Sequence, residues 1–238
     1  SEADAVAHTA GGMTGLLDDQ VQTAAAALDA YEMTGDSGWL EWGRAIMDRV
    51  WSHYWDSEGG GLFDTARDRA REEGLLPARA KPVQDTPTPS PNGVAGIVCM
   101  RLHELTSDSR WRTRSEELLR AFAGSARELG LYAATYLLAL DWHLDPATHL
   151  VVVGDPTDAA VRSMHEAALG GFVPRRVVQL VVPAEAASRP LPPALSGMVA
   201  AGQAPRGYAC TGNSCSQPAA DPSAWEATLE ALRPTANA

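Results

Sequence analysis

Aspartates dominate the residues of this chain whose type and spacing could do chemistry. Asp18 and Asp19 are adjacent, and Asp64 falls in the stretch Gly59-Gly60-Gly61-Leu62-Phe63-Asp64-Thr65. Asp85 follows Lys81 in a proline-rich segment that runs on to Ser90 and Asn92. Glycoside hydrolysis needs two carboxyl groups roughly 5–10 Å apart, one as acid and the other as base or nucleophile. Asp19, Asp64 and Asp85 are therefore the catalytic candidates, and Asp18, Lys81, Ser90 and Asn92 the candidates for binding a polar substrate. Each also has a plain structural account. Asp18 and Asp19 fit an N-cap and a dipole-favoured first-turn carboxylate. Gly59 to Thr65 fits a supporting turn, and an exposed Lys81–Asp85 pair would contribute only about 0–1 kcal/mol. Trp55 and Phe63 could stack on a sugar ring, although aromatics are more often simply core.

Cys210 and Cys215 are the redox candidates. Two free thiols, a disulfide across a tight loop, and a redox pair serving another domain all fit their spacing; a reducing cytosol favours free thiols. Cys99 falls on a buried helix face and is expected to be inert. His53, His103, His149 and His165 form no pair suited to a proton relay. No His/Cys/Asp cluster has metal-ligand spacing, and Gly154-Asp155-Pro156 lacks either phosphate-loop pattern. Neither a metal nor a cofactor is expected.

Composition narrows the partners. With 19 basic against 30 acidic residues the net charge is −11, which disfavours nucleic acid, because phosphate binding needs clustered cations. Lys81 is the sole lysine. No long uncharged apolar run suggests a membrane span. The start Ser1-Glu2-Ala3-Asp4 lacks the features of a secretory signal, so the expected setting is a bacterial cytoplasm. The missing initiator Met suggests a fragment.

A self-match reveals the elements that must position these residues. Tyr31-Glu-Met-Thr-Gly-Asp-Ser-Gly-Trp39 recurs as His103-Glu-Leu-Thr-Ser-Asp-Ser-Arg-Trp111, the mark of stacked supersecondary units. Leu17, Val21, Ala24, Leu28 and Tyr31 precede the first turn at helical spacing; Trp39, Trp42, Ile46 and Val50 follow it. Val94, Val98, Leu102 and Leu105, then Trp111, Ser115, Leu118 and Phe122, repeat the pattern. Gly35 suits a left-handed C-cap, and Asp36 or Ser37, and Asp108 or Ser109, suit N-caps. Two αα-hairpins follow, with a fifth helix near residues 131–143 opening a third hairpin that is not completed. The long loop from Asp56 to Pro91, with its charged run 67–73, has the length of a functional one. Tandem hairpins bring this loop and the starts of all first helices to one rim, so the candidate residues gather there.

Beyond Asp145-Pro146 the pattern changes. Residues 149–153 and 177–182 read as strands flanking a helix with Val161, Met164, His165 and Ala168 on one face, which predicts a parallel pair with a crossover helix. Residues 183–205 read as a Pro/Ala-rich link, and a last helix is expected near 222–232. The expected fold is mainly α: a helical-hairpin region over 1–145 and a small α/β segment over 146–238.

Four stretches, Leu17-Asp18-Asp19, Gly59 to Thr65, Arg79-Ala-Lys81…Asp85…Pro89-Ser90-Pro91-Asn92, and Cys210-x4-Cys215-x2-Pro218, carry a resemblance. Together they resemble the thioredoxin-domain-containing family related to spermatogenesis-associated protein 20. That family usually has Gly where this chain has Pro91, and Ser where it has Gly93. The resemblance implies an N-terminal thioredoxin-like domain, absent here, followed by an (α/α)6 toroid like that of six-hairpin glycosidases, of which this chain supplies about half. It implies a carbohydrate-active hydrolase or isomerase with an acidic rim, its ligand a carbohydrate or other polar small molecule. The competing expectation is a non-catalytic binding or scaffolding module for the thioredoxin-like domain.

Overall fold

A computed structural model describes residues 6–10, 12–67, 79–186, 191–201 and 205–233. The charged run of the long loop lies, past Arg67, outside the described residues, as does the chain start at 1–5. The fold is mainly α with a small α/β part, and it divides into two units. The first comprises residues 1–29, 36–103 and 108–145; the second joins residues 30–35 and 104–107 to 146–238.

The first unit is built on two hairpins. Helices α1 (Leu17–Thr34) and α2 (Ser37–Tyr54) form one, and α3 (Pro91–Thr106) and α4 (Ser109–Leu129) the other. The repeated turn works as its sequence suggests, because Asp36 accepts from Gly38 N at 2.8 Å and Asp108 from Arg110 N at 3.0 Å. These bonds satisfy amide donors that the first helical turn leaves without a partner. A 3-10 turn (Gly130–Ala133) then leads into α5 (Ala134–Leu144).

Helix α3 is apolar nearly all round and correspondingly central, with Val94, Ala95, Val98, Cys99, Met100, Leu102 and Leu105 all buried. Its glycines let neighbours close in: a Cβ on Gly93 would lie 2.8 Å from Thr135 Cγ2, and one on Gly96 3.0 Å from Ala139 Cβ. One expectation fails here. Trp39 and Trp42 are 39% and 44% exposed and pack against each other, with ring centroids 5.9 Å apart. The buried face of α2 is instead Leu40, Gly43, Ile46, Met47, Val50 and Tyr54, a stripe rotated by one residue. Gly43 anchors it, since its bare Cα admits Leu28 Cδ2 and the Ala24 carbonyl of α1.

The second unit holds a mixed sheet in the order β2-β1-β3-β4. Strands β1 (Thr148–Val153) and β2 (Arg176–Val181) are parallel, with α6 (Ala159–Gly170) as the crossover. Antiparallel to β1 runs β3 (Arg206–Thr211), which turns through Gly212 into the two-residue β4 (Ser214–Cys215). Neither β3 nor β4 was expected, and the supposed link contains a helical turn (Pro183–Ala186) and α7 (Pro193–Ala200). On one sheet face Leu150, Val152, Val178 and Ala209 pack with Val161 and Met164 of α6 and with Trp225 of α8 (Pro222–Ala231). On the other, Val151, Val153, Val181 and Tyr208 pack with Leu195. Among the described residues no helix is long and apolar enough to cross a membrane.

Candidate functional site

The long loop is pinned to the helix starts by backbone pairing. Leu17 N donates to Asp64 O at 2.8 Å, Asp64 N to Ala80 O at 2.8 Å, and Ala66 N to Gly15 O at 3.0 Å. Asp64 therefore sits beside the first turn of α1, where Asp18 and Asp19 project. Because α1 begins at Leu17, both aspartates occupy first-turn positions, and neither is the N-cap. Asp64 Oδ1 accepts from Ala80 N and from Thr65 Oγ1, each at 3.2 Å.

Asp18 receives a long contact from Gln22 Nε2, at 3.4 Å. Asp19 is different. Its Oδ1 meets His8 Nδ1 at 3.0 Å, and this hydrogen bond, with the charge behind it, raises the His8 pKa. Asp19 Oδ2 is buried and has no hydrogen-bond partner among the described residues. A carboxylate oxygen withdrawn from water without a donor is costly.

Lys81, Ser90, Asn92 and Asp85 are occupied by the chain itself. Lys81 pairs with Asp56 at 2.5 Å and not with Asp85, and its ammonium, helped by Glu58 N–H, lowers the Asp56 pKa to about 2. Asp56 sits at the start of a tight turn in which Asp56 N donates to Gly61 O at 3.0 Å. Gly61 must be glycine there: its φ is +82°, and a Cβ would approach Phe122 Cζ to 2.7 Å. Asn92 is buried, donating to Leu62 O (3.0 Å) and Pro82 O (2.7 Å) while accepting from Leu62 N (2.9 Å). Ser90 caps α3, since its carbonyl accepts from Val94 N at 2.9 Å and its Oγ from Gly93 N at 3.3 Å.

Asp85 ties two helices together. Its Oδ1 accepts from Ser90 N at 2.7 Å, just before α3, and its Oδ2 from Thr135 N at 2.9 Å, in the first turn of α5. Burial opposes its charge, yet these N–H groups prevail and hold its pKa below the usual carboxylate value.

The aromatic candidates are also engaged. Arg79 lies 4.1 Å over the Phe63 ring and Lys81 5.1 Å from it, while Trp55 stacks on Trp51 with centroids 5.9 Å apart. His8, Asp56, Arg79 and Thr135 are site residues that sequence reading missed. Only Arg79 had a local signal, as part of the stretch leading to Lys81.

The remaining candidates lie in other surroundings. Cys210 and Cys215, cross-strand neighbours on β3 and β4, are joined as a disulfide, which replaces the expectation of free thiols. Cys99 is buried, and burial pushes its thiol pKa far up. His165 Nε2 contacts the Glu32 carbonyl at 2.8 Å, and His53 Nδ1 that of Arg49 at 3.1 Å. Among the described residues no group of three or more His, Cys, Asp or Glu could hold a metal ion.

No family model matches the chain. It is 31% identical to human spermatogenesis-associated protein 20 over 214 residues and 30% identical to the rat protein over 210. In both cases 87% of this chain is covered but only 26% of the relative. The mouse protein matches to the same extent at 29% identity. The chain thus spans about a quarter of the length of the curated relatives it matches. Over most of its own length it is homologous to spermatogenesis-associated protein 20.

Proposed function

We propose that the chain is part of an (α/α)6 toroid like that of six-hairpin glycosidases, within a longer cytoplasmic protein that also carries a thioredoxin-like domain. In this reading the rim at the start of α1 binds a carbohydrate or other polar small molecule. The observation that carries it is Asp19 Oδ2, a buried carboxylate oxygen without a donor among the described residues, on the same helix turn to which the Leu17–Asp64 backbone bond fixes a second carboxylate residue, Asp64. A ligand hydroxyl would supply the missing donor. Asp19 then acts as acid or base and Asp64 as its partner, with Asp18 as a further acceptor. Lys81, Asp85, Ser90 and Asn92 hold the loop that forms the rim.

The alternative is a non-catalytic binding or scaffolding module accompanying the thioredoxin-like domain. What favours it is that Asp85, Ser90 and Asn92 spend their polar atoms on this chain's own backbone. A panel of glycans and free sugars, tested for binding and turnover with the full-length protein, separates the two. A sugar bound by the parent and not by Asp19→Asn supports the rim site. A panel without binding, with Asp19→Asn folding as the parent does, supports the module.

A further inference from the structure

The β3–β4 disulfide lies beside a polar chain that crosses the sheet. His149 of β1 is the register partner of Cys210 on β3, and directly opposed residues present their side chains on the same face as close neighbours. Alternation puts both on the face of Val151 and Tyr208, where Cys210 packs against the apolar cluster. His149 Nε2 meets Gln179 Oε1 at 2.9 Å, and Gln179 Nε2 donates to Tyr31 Oη at 2.7 Å. Because Gln179 offers its carbonyl oxygen, His149 Nε2 carries the hydrogen and Nδ1 keeps a lone pair. The two sulfurs differ in access: Cys215 is exposed on the two-residue edge strand, whereas Cys210 is half-buried.

The hairpin does not depend on the disulfide for its register. Gly207 and Ala219 exchange two backbone bonds of 2.9 Å each. Ser216 N donates to Ala209 O at 2.8 Å, and Ala209 N to Ser216 Oγ at 3.2 Å. The cross-link spans a sequence separation of only 5, so it restricts the unfolded chain less than a long-range disulfide would, and its outer residue, Cys215, is exposed.

We propose that Cys210–Cys215 is a thiol–disulfide exchange site for a dithiol partner, with Cys215 as the sulfur attacked and His149, held by Gln179, as a positioning residue beside Cys210. In the reductive direction a partner thiolate attacks Cys215 Sγ, the S–S bond breaks, and its electron pair leaves on Cys210 Sγ. The partner's second thiol then attacks the mixed disulfide and releases Cys215. Two electrons and two protons pass to the cysteines, and the partner departs as its disulfide. In reverse, the Cys215 thiolate attacks the partner's disulfide, whose bond breaks with its electron pair leaving on one partner sulfur. The Cys210 thiol gives its proton to solvent, and its thiolate attacks Cys215 Sγ, re-forming the bond and releasing the partner's dithiol. This site is independent of the α1 rim.

The test uses full-length protein with dithiothreitol as the dithiol probe under native conditions. The expected result is that thiol-specific labelling followed by peptide mass analysis finds Cys215 and Cys210 newly reactive, while circular dichroism is unchanged. After removal of the dithiothreitol, oxidised glutathione should then restore the disulfide. In His149→Gln the same two cysteines become reactive, but reoxidation slows about tenfold, because Cys210 loses the neighbour that holds it toward Cys215 Sγ. A disulfide that yields only when the chain unfolds would overturn the exchange site. Equal reoxidation rates in parent and His149→Gln would overturn the role of His149.

Discussion

Gly35 and Ser107 occupy the same place in the two repeated turns, and both have a left-handed backbone, with φ of +72° and +56°. The turn that joins each pair of helices demands this conformation. The first copy meets it with glycine, and the second with a residue that adopts it at a cost. Ser107→Gly should therefore stabilise the protein by up to about 1 kcal/mol, and Gly35→Ala should destabilise it by about 1–2 kcal/mol. The larger loss at Gly35 has a second source, since an added Cβ meets Leu180 Cδ2 at 3.2 Å. Denaturant unfolding of both variants checks the pair of signs.

Asp85 should matter for stability well beyond an ordinary surface aspartate. Asp85→Ala removes the acceptor of two helix-start N–H groups and should cost about 1–3 kcal/mol, toward the lower end because water reaches the site. The pH dependence follows from the direction of the shift. The Asp85 pKa is lowered in the folded protein, so its contribution is complete above the unfolded-state value of about 3.9. It is lost as pH falls through the folded value. Melting curves of parent and Asp85→Ala should therefore converge in acid and separate above about pH 4.

Lys81 is the only lysine, so amine-selective labelling reports on it without interference from other side chains. Its pairing with Asp56 and its place near Phe63 should make it label more slowly than the amine of free lysine. Asp56→Asn should speed that labelling. Equal rates in parent and variant would show that the pair does not form in solution. The Asp56 pKa, at about 2, keeps the pair ionised down to strongly acid pH.

If the chain is part of a toroid, it should associate through its first unit when studied by itself. Leu131, Tyr132, Leu137 and Leu138 are 93%, 57%, 50% and 55% exposed. Leu131 and Leu137 also border an apolar cleft of about 710 Å³ with Ala126, Tyr136 and Leu140. Exposed apolar surface of this kind is normally covered by a partner. Light scattering of this chain should show oligomers, and the Leu131→Ser, Leu137→Ser double variant should shift it toward monomer. A monomeric, cooperatively unfolding parent would count against an incomplete toroid.

The hairpins were legible because their signals are local: an aspartate cap two residues before the amide it holds, and apolar stripes at helical spacing. The stripe on α2 was misread because Gly43 adds no hydrophobicity to the true face, while two tryptophans decorate the adjacent one. Strand β4 was missed because it has two residues, and β3 because Arg206-Gly-Tyr-Ala-Cys-Thr211 lacks the apolar run that marks β1 and β2; their hairpin is held partly by side chains, such as Ser216, that carry no strand pattern. At the rim, the sequence placed Asp18, Asp19 and Asp64 on connected segments but misassigned the partner of Lys81. Nearness in sequence pointed to Asp85, whereas the fold brings Asp56 from the start of the loop and gives Asp85 to α5. Contacts of that range leave no trace in spacing.

The rim account rests on Asp19, and the most direct measurement is the affinity of the full-length protein for a sugar found by the panel, compared between parent and Asp19→Asn, with the melting temperature of each. Asparagine keeps the shape but loses the charge and presents an amide where a ligand hydroxyl would donate. The account predicts a loss of about 1.5–3 kcal/mol in binding, or roughly tenfold to a hundredfold, as expected for a hydrogen bond to a charged group. Because Asp19 Oδ2 is a buried oxygen without a partner among the described residues, the melting temperature should hold or rise. Unchanged affinity together with a lower melting temperature would contradict it, making Asp19 a structural carboxylate and placing the ligand elsewhere.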